Sequence, residues 1–311
     1  MNAEVYTGTA DWADAKTYAK KVIDSPYKLY TAKKGQWSAY QQLFMGDNGE
    51  NGSSVEAIFP ILQDGKKTTS WGTTLFLMAG CNDNKERVKS ATEKGNNTTE
   101  GWAGNRMRPD LVQKFFPNND APNISAYAMP AAADDDRALF DGDGRNVTNG
   151  DDENGVKVFT NGFSVCKFNN FKTDGSAGHD SKFPDADFFL MRAAEAYLMY
   201  AEADARQNGG TTTADGAKYI NELRSRAHAT PHTAYSLRQI CDEWSREFYF
   251  EGLRRTTLIR FGYFGGNVNY NWSWKGGVKN GRNFDAHLNI FPIPSSDLTV
   301  NKKLVQNQGY N

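Results

Sequence analysis

Apolar side chains recur at helical spacing near the start of the chain and again in its last third. In residues 1–30 the pattern consists of Trp12, Ala15, Tyr18, Ala19, Val22 and Ile23, between a turn at Gly8 and a stop at Pro26. In residues 187–229 it consists of Leu190, Ala193, Ala194, Tyr197, Leu198, Ala201 and Ala205, then Ala217, Ile220, Leu223 and Ala227. Such spacing predicts helices. Because small and aromatic residues alternate as in tetratricopeptide hairpins, we predict a mainly α-helical fold built from such hairpins.

Two local signals predict where helices end and begin. Gly209 and Gly210 separate the two halves of the second pattern, because glycine readily adopts the left-handed conformation after a helix. A further helix is predicted to begin at Ser236, since Gln239 follows at capping-box spacing. We expect this final helix to bury Leu237, Ile240, Trp244, Phe248 and Leu258.

Residues 31–186 differ from the helical segments in being rich in glycine, asparagine and aspartate. The runs GDNGENGSS, EKGNNTTEG and DGDGRNVTNGDDENG illustrate this. Helical periodicity is clear in RPDLVQKFF, where Pro109 suits a first helical turn. We interpret this segment as a loop-rich insertion that contains short strands. Loops held by a rigid scaffold commonly carry binding residues, so we expect the functional residues here.

The composition disfavours several classes of protein. The 311-residue chain has a formal net charge of −1 and no local cluster of Lys or Arg, so it offers no field that attracts nucleic acid. Its apolar runs are far shorter than the ~20 residues of a transmembrane helix. Cys81, Cys166 and Cys241 are widely spaced and odd in number, which excludes a paired zinc or redox motif. We expect them to be buried thiols.

The motifs of the C-terminal part follow one another in a specific order. FFLMRAAEAYLMYAEADA is followed by YINELRSRA, EWSREFYFEGLRRTTLIRFG, FPIPSSDL and QNQGY. WGTTLFLMAG, WAGNRMRPDLVQKFF and the D-R--LF pattern of Asp136 to Phe140 precede them. In these motifs and in their order, most of the chain resembles the SusD/RagB family of glycan-capturing outer-membrane lipoproteins.

The resemblance implies a binding function, with no catalysed reaction and no cofactor. It implies a protein on the extracellular face of the outer membrane that captures oligosaccharides or polysaccharide and delivers them to a SusC-like, TonB-dependent transporter. It also implies that the chain is the C-terminal portion of a longer protein, because MNAEVYTG resembles an interior segment of the family. The missing N-terminal region would carry the lipid anchor, which would be the contact with the membrane.

Residues 1–311 are therefore expected to form one SusD/RagB-like domain with four segments. These are a tetratricopeptide-like helix (1–30), the loop-rich insertion with its ligand-facing loops (31–186), tetratricopeptide-like helices (187–262) and a tail that packs on the helices (263–311). We expect the ligand site to lie in this insertion.

Six residues of the insertion are candidates for contacts with a glycan. They are Trp102, Trp71, Phe76, Asn105, Arg106 and Arg108. Aromatic faces cover the apolar side of a sugar ring, while Asn and Arg side chains can hydrogen-bond to its hydroxyls. Trp102 lies between glycines in a loop, and Trp71 has a similar setting. Burial in the core is the alternative for each indole.

The other tryptophans are expected to be structural. Trp12 and Trp244 lie on apolar faces of predicted helices, whereas the position of Trp37 stays open. In NVNYNWSWKGG, Val268, Tyr270, Trp272 and Trp274 alternate with polar residues. This alternation predicts a short, half-buried strand, in which Trp272 and Trp274 serve the architecture.

The carboxylates show no catalytic pattern. A glycosidase needs two of them facing each other across a cleft at ~5–10 Å, and no such pair is marked out. The helical residues Glu195, Glu202, Glu243, Glu247 and Glu251 instead lie near Arg192, Arg246, Arg254 and Arg255 at spacings of three and four. That arrangement indicates ion pairs that join helix faces.

Two possible metal sites are weak. Asp141 and Asp143 of DGDGRN are a weak option for calcium, but the loop departs from the EF-hand pattern, which favours a solvated acidic loop. His228 and His232 are four residues apart, yet Pro231 breaks the helix that would align them for zinc.

Two other classes of function stay open. The first is a helical scaffold or adhesin-like protein that holds a peptide or protein and leaves Trp102 and Trp71 without a role in binding. The second is a glycoside hydrolase, which would release reducing sugar. Glycan affinity without turnover would separate the binding protein from both.

Overall fold

The computed structural model of the protein describes residues 10–83, 96, 98–147, 158–266 and 269–310. These residues belong to two compact units, one formed by residues 11–251 and the other containing Gly252–Asn311. The division at Gly252 lies before the end of the predicted helical segment 187–262. Gly8 and Val268 lie outside the described residues.

The first unit is mainly helical and contains two small sheets. Its helices are α1 (Trp12–Ile23), α2 (Ala39–Gln42), α3 (Thr73–Ala79), α4 (Pro109–Val112), α5 (Met129–Ala133), α6 (Ala193–Gln207), α7 (Ala214–Arg226) and α8 (Leu237–Phe248), with 3₁₀ helices at Ser53–Glu56 and Gln113–Phe115. Its strands are β1 (Ala57–Ile61), which pairs antiparallel with β4 (Phe188–Arg192), and β2 (Phe140–Asp141), which pairs antiparallel with β3 (Ser164–Val165). The predicted mainly α-helical architecture with short strands is confirmed.

Helices α6 and α7 form the predicted hairpin, and α1 packs against α6. Gly209 and Gly210 turn the chain with φ angles of +67° and +96°, which only glycine adopts without strain. The ring of Tyr219 on α7 contacts the ring of Tyr200 on α6 edge to face, with centroids 4.6 Å apart. Small alanines on both helices allow this close approach.

Two residues assigned to the helical apolar faces are placed differently by the structure. Tyr18 is 61% exposed on α1. Leu190 lies in β4, not in a helix, because the helix α6 begins only at Ala193, and its side chain is exposed. The prediction for Leu190 was wrong because the stretch pairs with a strand more than a hundred residues earlier, which local periodicity does not reveal.

The capping box predicted for α8 is confirmed. The hydroxyl of Ser236 accepts from the backbone of Gln239, whose side chain accepts from the backbone of Ser236. The helix buries Ile240, Trp244 and Phe248, but Leu237 is only half-buried and Leu258 lies on a separate helix of the second unit. The helix ends earlier than expected, at Phe248.

The second unit consists of short helices and irregular backbone. They are α9 (Arg254–Arg260), α10 (Ser295–Val300) and 3₁₀ helices at Lys275–Gly277 and Ala286–Asn289. The strand predicted in NVNYNWSWKGG is wrong over its described part, since residues 269–274 form no strand. Tyr270 is instead buried and stacked on Tyr263 at 4.6 Å.

The remaining tryptophans behave largely as structural residues. Trp37, whose position the sequence left open, is 1% exposed, and Trp244 is also buried. Trp12 is half-buried under the guanidinium of Arg206, 4.4 Å from the ring centroid. Trp272 and Trp274 are half-buried as well. Of the three cysteines, Cys81 and Cys241 are buried, and Cys166 is partly exposed.

A network of buried charges joins the elements of the first unit. Arg192, at the junction of β4 and α6, lies 2.7 Å from carboxylate oxygens of Glu56, Glu247 and Glu251. The predicted local ion pair is present between Glu243 and Arg246, whereas Glu247 and Glu251 pair with the distant Arg192. In the second unit, Arg254 donates to the hydroxyl of Tyr270 and Arg255 to the carbonyl of Leu288.

None of the helices in the described part of the chain has the length and apolar character needed to cross a bilayer.

Candidate functional site

Three aromatic residues selected from the sequence come together on the surface of the first unit. The ring centroids of Trp71 and Trp102 lie 6.2 Å apart, and those of Trp102 and Phe76 also lie 6.2 Å apart. The side chains are 55%, 37% and 49% exposed for Trp71, Trp102 and Phe76. With Phe183, whose ring meets Trp71 edge-on at 5.3 Å, they form what we call the aromatic platform.

Helix α3 orients one edge of the platform. Its inner face buries Leu75 and Met78, and Met78 joins the hydrophobic core beneath β1 and β4. Phe76 lies between them in sequence and therefore points away from the core. Trp71 precedes the helix, next to the N-cap residue Gly72. The same short segment thus anchors itself inside the protein and exposes two aromatic rings.

The loop that carries Trp102 is fastened to the end of α3 by its backbone. The N–H groups of Trp102 and Asn105 donate to the carbonyls of Ala79 and Gly80, both at 2.8 Å. Ala103 and Gly104 have positive φ angles, so the chain turns sharply just after the indole. Main-chain contacts therefore anchor the backbone that carries Trp102 to the end of α3.

Two contacts of the platform come from a loop that the sequence analysis did not single out. Phe183 supplies its fourth ring, and the ammonium of Lys182 lies 5.2 Å from the centroid of Trp71. The carboxylate of Asp180 accepts from the backbone N–H groups of both residues and orders this loop. No local signal marks these residues, because their relation to Trp71 arises from the fold across more than a hundred positions.

Glu100 is a further contact that the sequence analysis missed. Its carboxylate accepts a hydrogen bond from the indole Nε1 of Trp102 at 3.1 Å and lies 3.4 Å from the ammonium of Lys182. A carboxylate engaged by an indole and an ammonium is suited to holding rings in place rather than to transferring protons.

The polar candidates Asn105, Arg106 and Arg108 are placed beside the platform loop. Asn105 is half-buried and packs against Gly80. A Cβ added to Gly80 would lie 2.5 Å from the side-chain nitrogen of Asn105. Arg106 donates to the carbonyls of Val158 and Asn161, so its guanidinium bridges two loops.

The two arginines differ in how their guanidinium groups are satisfied. Partial burial lowers the pKa of Arg106 and of Arg108. Among the described residues, Nη1 of Arg108 is a buried donor without a hydrogen-bond partner. Arg108 therefore has capacity for a further acceptor, whereas the contacts of Arg106 give it a role in tying loops together.

One group of side chains in the described ranges has the spacing of a metal site. Donor atoms of Asp64, His179 and Asp185 lie within 4.8 Å of one another. Asp185 already accepts from the backbone N–H groups of Gly65 and His179, so the group is ordered by the protein itself. The weak calcium option at Asp141 and Asp143 is not part of it, and Asp141 accepts from the N–H of Asp143 within its own turn.

The two histidines considered for zinc, His228 and His232, bind different partners. His228 pairs with Asp136 at 2.6 Å, and the backbone N–H of His232 donates to Asn221.

A separate groove of about 1200 Å³ runs along α7. Among the described residues, the walls of the groove include three lysines, Lys28, Lys33 and Lys218. Its aromatic lining residues are Tyr197 and two histidines. Tyr197 is buried, so the groove offers no exposed aromatic face for a sugar ring. The platform therefore presents exposed aromatic rings, whereas the groove presents lysine side chains.

Residues 55–310 match the sequence profile of the SusD family. The chain belongs to the SusD family. It is 41% identical to the starch-binding protein SusD of Bacteroides thetaiotaomicron, in an alignment that covers 100% of this chain and 58% of that protein. The chain therefore spans less than two thirds of the length of this SusD relative.

Solved structures of SusD-like proteins share the fold. Surface glycan-binding protein A from Bacteroides thetaiotaomicron has a TM-score of 0.58 at 21% identity, over 96% of this chain and 59% of its own. Its complex with laminarihexaose gives a TM-score of 0.57 at 21% identity, over 95% and 59% of the two chains. The SusD-like fold expected from the motifs is thus confirmed.

Proposed function

We propose that the protein binds oligosaccharides on its aromatic platform. The observation that carries the proposal is a set of three exposed rings: Trp71 before α3, Phe76 on α3, and Trp102 on the loop fastened to the end of α3. Large aromatic side chains are costly to leave in water, and a fixed exposed cluster of them is typical of a binding surface. The apolar faces of pyranose rings are the ligand chemistry that such a surface suits.

The relatives support this reading. SusD of Bacteroides thetaiotaomicron is named for starch binding, and the similar glycan-binding protein was solved with laminarihexaose. Both ligands are glucose polymers, so gluco-oligosaccharides are the first class to test. We further propose that the full-length protein acts at the outer-membrane surface and passes its ligand to a SusC-like transporter.

The proposed function is binding without turnover. The carboxylate of Glu100, which contacts the platform, is held by Trp102 and Lys182, and the relatives are named as binding proteins. We therefore expect no release of reducing sugar when oligosaccharides are incubated with the protein.

The test is calorimetric titration with maltohexaose and laminarihexaose. Trp102→Ala and Trp71→Ala should each weaken the affinity for the preferred glycan at least about tenfold, equivalent to ~1.4 kcal/mol. Tyr18→Ala, which removes an exposed aromatic ring from α1, is the matched control and should leave the affinity unchanged. Equal affinities for the wild type and both tryptophan variants would place the site elsewhere.

The scaffold alternative has its own observation, the groove along α7. Its size and its lysine-bearing walls suit a peptide better than a sugar. Binding of peptides without binding of any glycan would favour that function over the one proposed.

A further inference from the structure

Glu100 connects the platform's central indole to its ammonium group. One carboxylate oxygen accepts from Nε1 of Trp102 at 3.1 Å, and the other lies 3.4 Å from Nζ of Lys182. That Nζ lies 5.2 Å from the ring centroid of Trp71 and 6.0 Å from that of Phe183. A single carboxylate thus touches one tryptophan directly and the other through a cation.

The two loops that carry this contact are joined by hydrogen bonds independent of the charges. The N–H of Thr99 donates to the carbonyl of Ser181 at 2.8 Å, and the hydroxyl of Thr98 donates to the carbonyl of Lys182 at 3.1 Å. Glu100 and Lys182 are therefore presented to each other by the backbone. Their pairing does not depend on two long side chains finding each other in solvent, as it does for most surface ion pairs.

Among the described residues, Glu100 and Lys182 are the charged groups that contact the rings of Trp102 and Trp71 directly, and they pair with each other. Arg106 lies beside the platform loop, where its guanidinium donates to the carbonyls of Val158 and Asn161. An anionic sugar stacked on Trp102 would therefore approach the carboxylate of Glu100, which holds this indole.

We propose that Glu100 is the positioning and specificity-determining residue of the platform. It orients Trp102, holds Lys182 beside Trp71 and cancels the ammonium charge, so that uncharged sugar rings bind and uronate- or sulfate-bearing rings are rejected. This inference rests on the glycan-binding function proposed above. It adds the basis of discrimination, because a bare row of aromatic rings would accept neutral and anionic pyranoses alike.

The decisive variant is Glu100→Gln, which keeps an oxygen that can accept from Nε1 of Trp102 but releases Lys182 from its counter-charge. The probes are a neutral hexasaccharide, whichever of maltohexaose and laminarihexaose the wild type prefers, and hexagalacturonate as the anionic one. At 20 mM salt, a two- to threefold loss of affinity for the neutral probe and at least a fivefold gain for hexagalacturonate are expected. At 500 mM salt the gain should disappear, since exposed charges are screened within a few ångströms.

Two further variants separate positioning from general destabilisation. Glu100→Gln combined with Lys182→Gln should lose the gain for hexagalacturonate, because the released ammonium is gone. Glu222→Gln alters another surface glutamate near a lysine, Lys218 at 3.9 Å, and should leave the ratio of the two affinities as in the wild type. The melting temperature of every variant should stay close to that of the wild type, since Glu100 lies near the surface.

The outcomes are distinguishable from a failure of the proposed function. If the wild type binds the neutral probe and Trp102→Ala weakens it, but Glu100→Gln leaves the affinity ratio unchanged, the role of Glu100 is overturned and the platform stands. If the wild type binds neither neutral probe, the proposed function fails and the role of Glu100 falls with it. An affinity ratio that shifts equally at both salt concentrations also contradicts the charge-based role.

Discussion

Arg192 and Glu247 form an ion pair at 2.7 Å in which both side chains are completely buried. Arg192 also reaches Glu56 and Glu251, and Arg226 reaches Glu56 and Glu247. Charges taken out of water are costly unless they are paired and hydrogen-bonded. In this network most of the cost is offset by mutual pairing, which makes each member dependent on the others.

Replacing Glu247 by Ala should destabilise the protein by ~3–5 kcal/mol, because Arg192 and Arg226 would keep buried charges with fewer partners. Chemical denaturation of wild type and variant measures the difference. Glu222→Ala, at a partly exposed ion pair, is the control and should change stability by ~0–1 kcal/mol. A loss for Glu247→Ala as small as that of the control would show that the network contributes little.

Stability should fall in acid. Burial alone would raise the pKa of Glu247, but the guanidinium groups of Arg226, Arg192 and Arg137 outweigh it and hold that pKa well below its usual range. In the unfolded chain this carboxyl takes up a proton near pH 4.5, while the folded protein does not, so unfolding is favoured as the pH falls below that value. The stabilising contribution is complete above it.

Melting curves between pH 7 and pH 3 check this linkage. The melting temperature of the wild type should decrease below about pH 4.5, and the decrease should be shallower in Glu247→Gln, which has one linked carboxyl fewer. Identical slopes for the two proteins would mean that Glu247 is not coupled to folding.

Gly80→Ala should disturb the platform from beneath. An added Cβ would lie 2.5 Å from the side-chain nitrogen of Asn105 and 2.7 Å from the carbonyl of Phe76, so the Asn105 side chain and the last turn of α3 must shift. We expect a loss of ~1–3 kcal/mol in stability, as for other overpacked sites, together with weaker glycan binding. Gly72→Ala, where the nearest atom is 3.5 Å away, is the control at the other end of α3.

Ser236→Ala should cost ~1 kcal/mol by removing the N-cap of α8. For a protein of this size that corresponds to a decrease in melting temperature of roughly 2–4 °C. Ser225→Ala, at an exposed position inside α7, makes the same chemical change without removing a cap and should leave the melting temperature nearly unchanged. A similar decrease in both variants would argue against a specific role for the cap.

The sequence predicted those features that depend on neighbours along the chain. The cap at Ser236 and Gln239 and the turn at Gly209 are set within a few residues, and the structure has both. Leu190 was misplaced because FFLMR continues into an apolar helical pattern, while its pairing strand Ala57–Ile61 lies far upstream. Local periodicity cannot distinguish an apolar strand that leads into a helix from the first turn of that helix.

The candidate site also combines features that depend on neighbours along the chain with features that depend on the fold. The sequence selected Trp71 and Trp102 from their loop settings but left burial in the core open for both, and it did not show that they would meet. Glu100 and Lys182 were missed because each is an ordinary surface charge until the fold brings their loops together. Whether Asn105 and Arg108 contact a ligand stays a prediction.

The buried network also bears on how quickly the chain can fold. Arg192 pairs with residues 55 and 136 positions away, and Arg137 pairs with Glu243 across 106 positions. Proteins rich in helices usually fold fast because their contacts are local, whereas contacts between distant segments require large loops to close first. Despite its helical content, the first unit should therefore fold at the slow rates typical of high contact order.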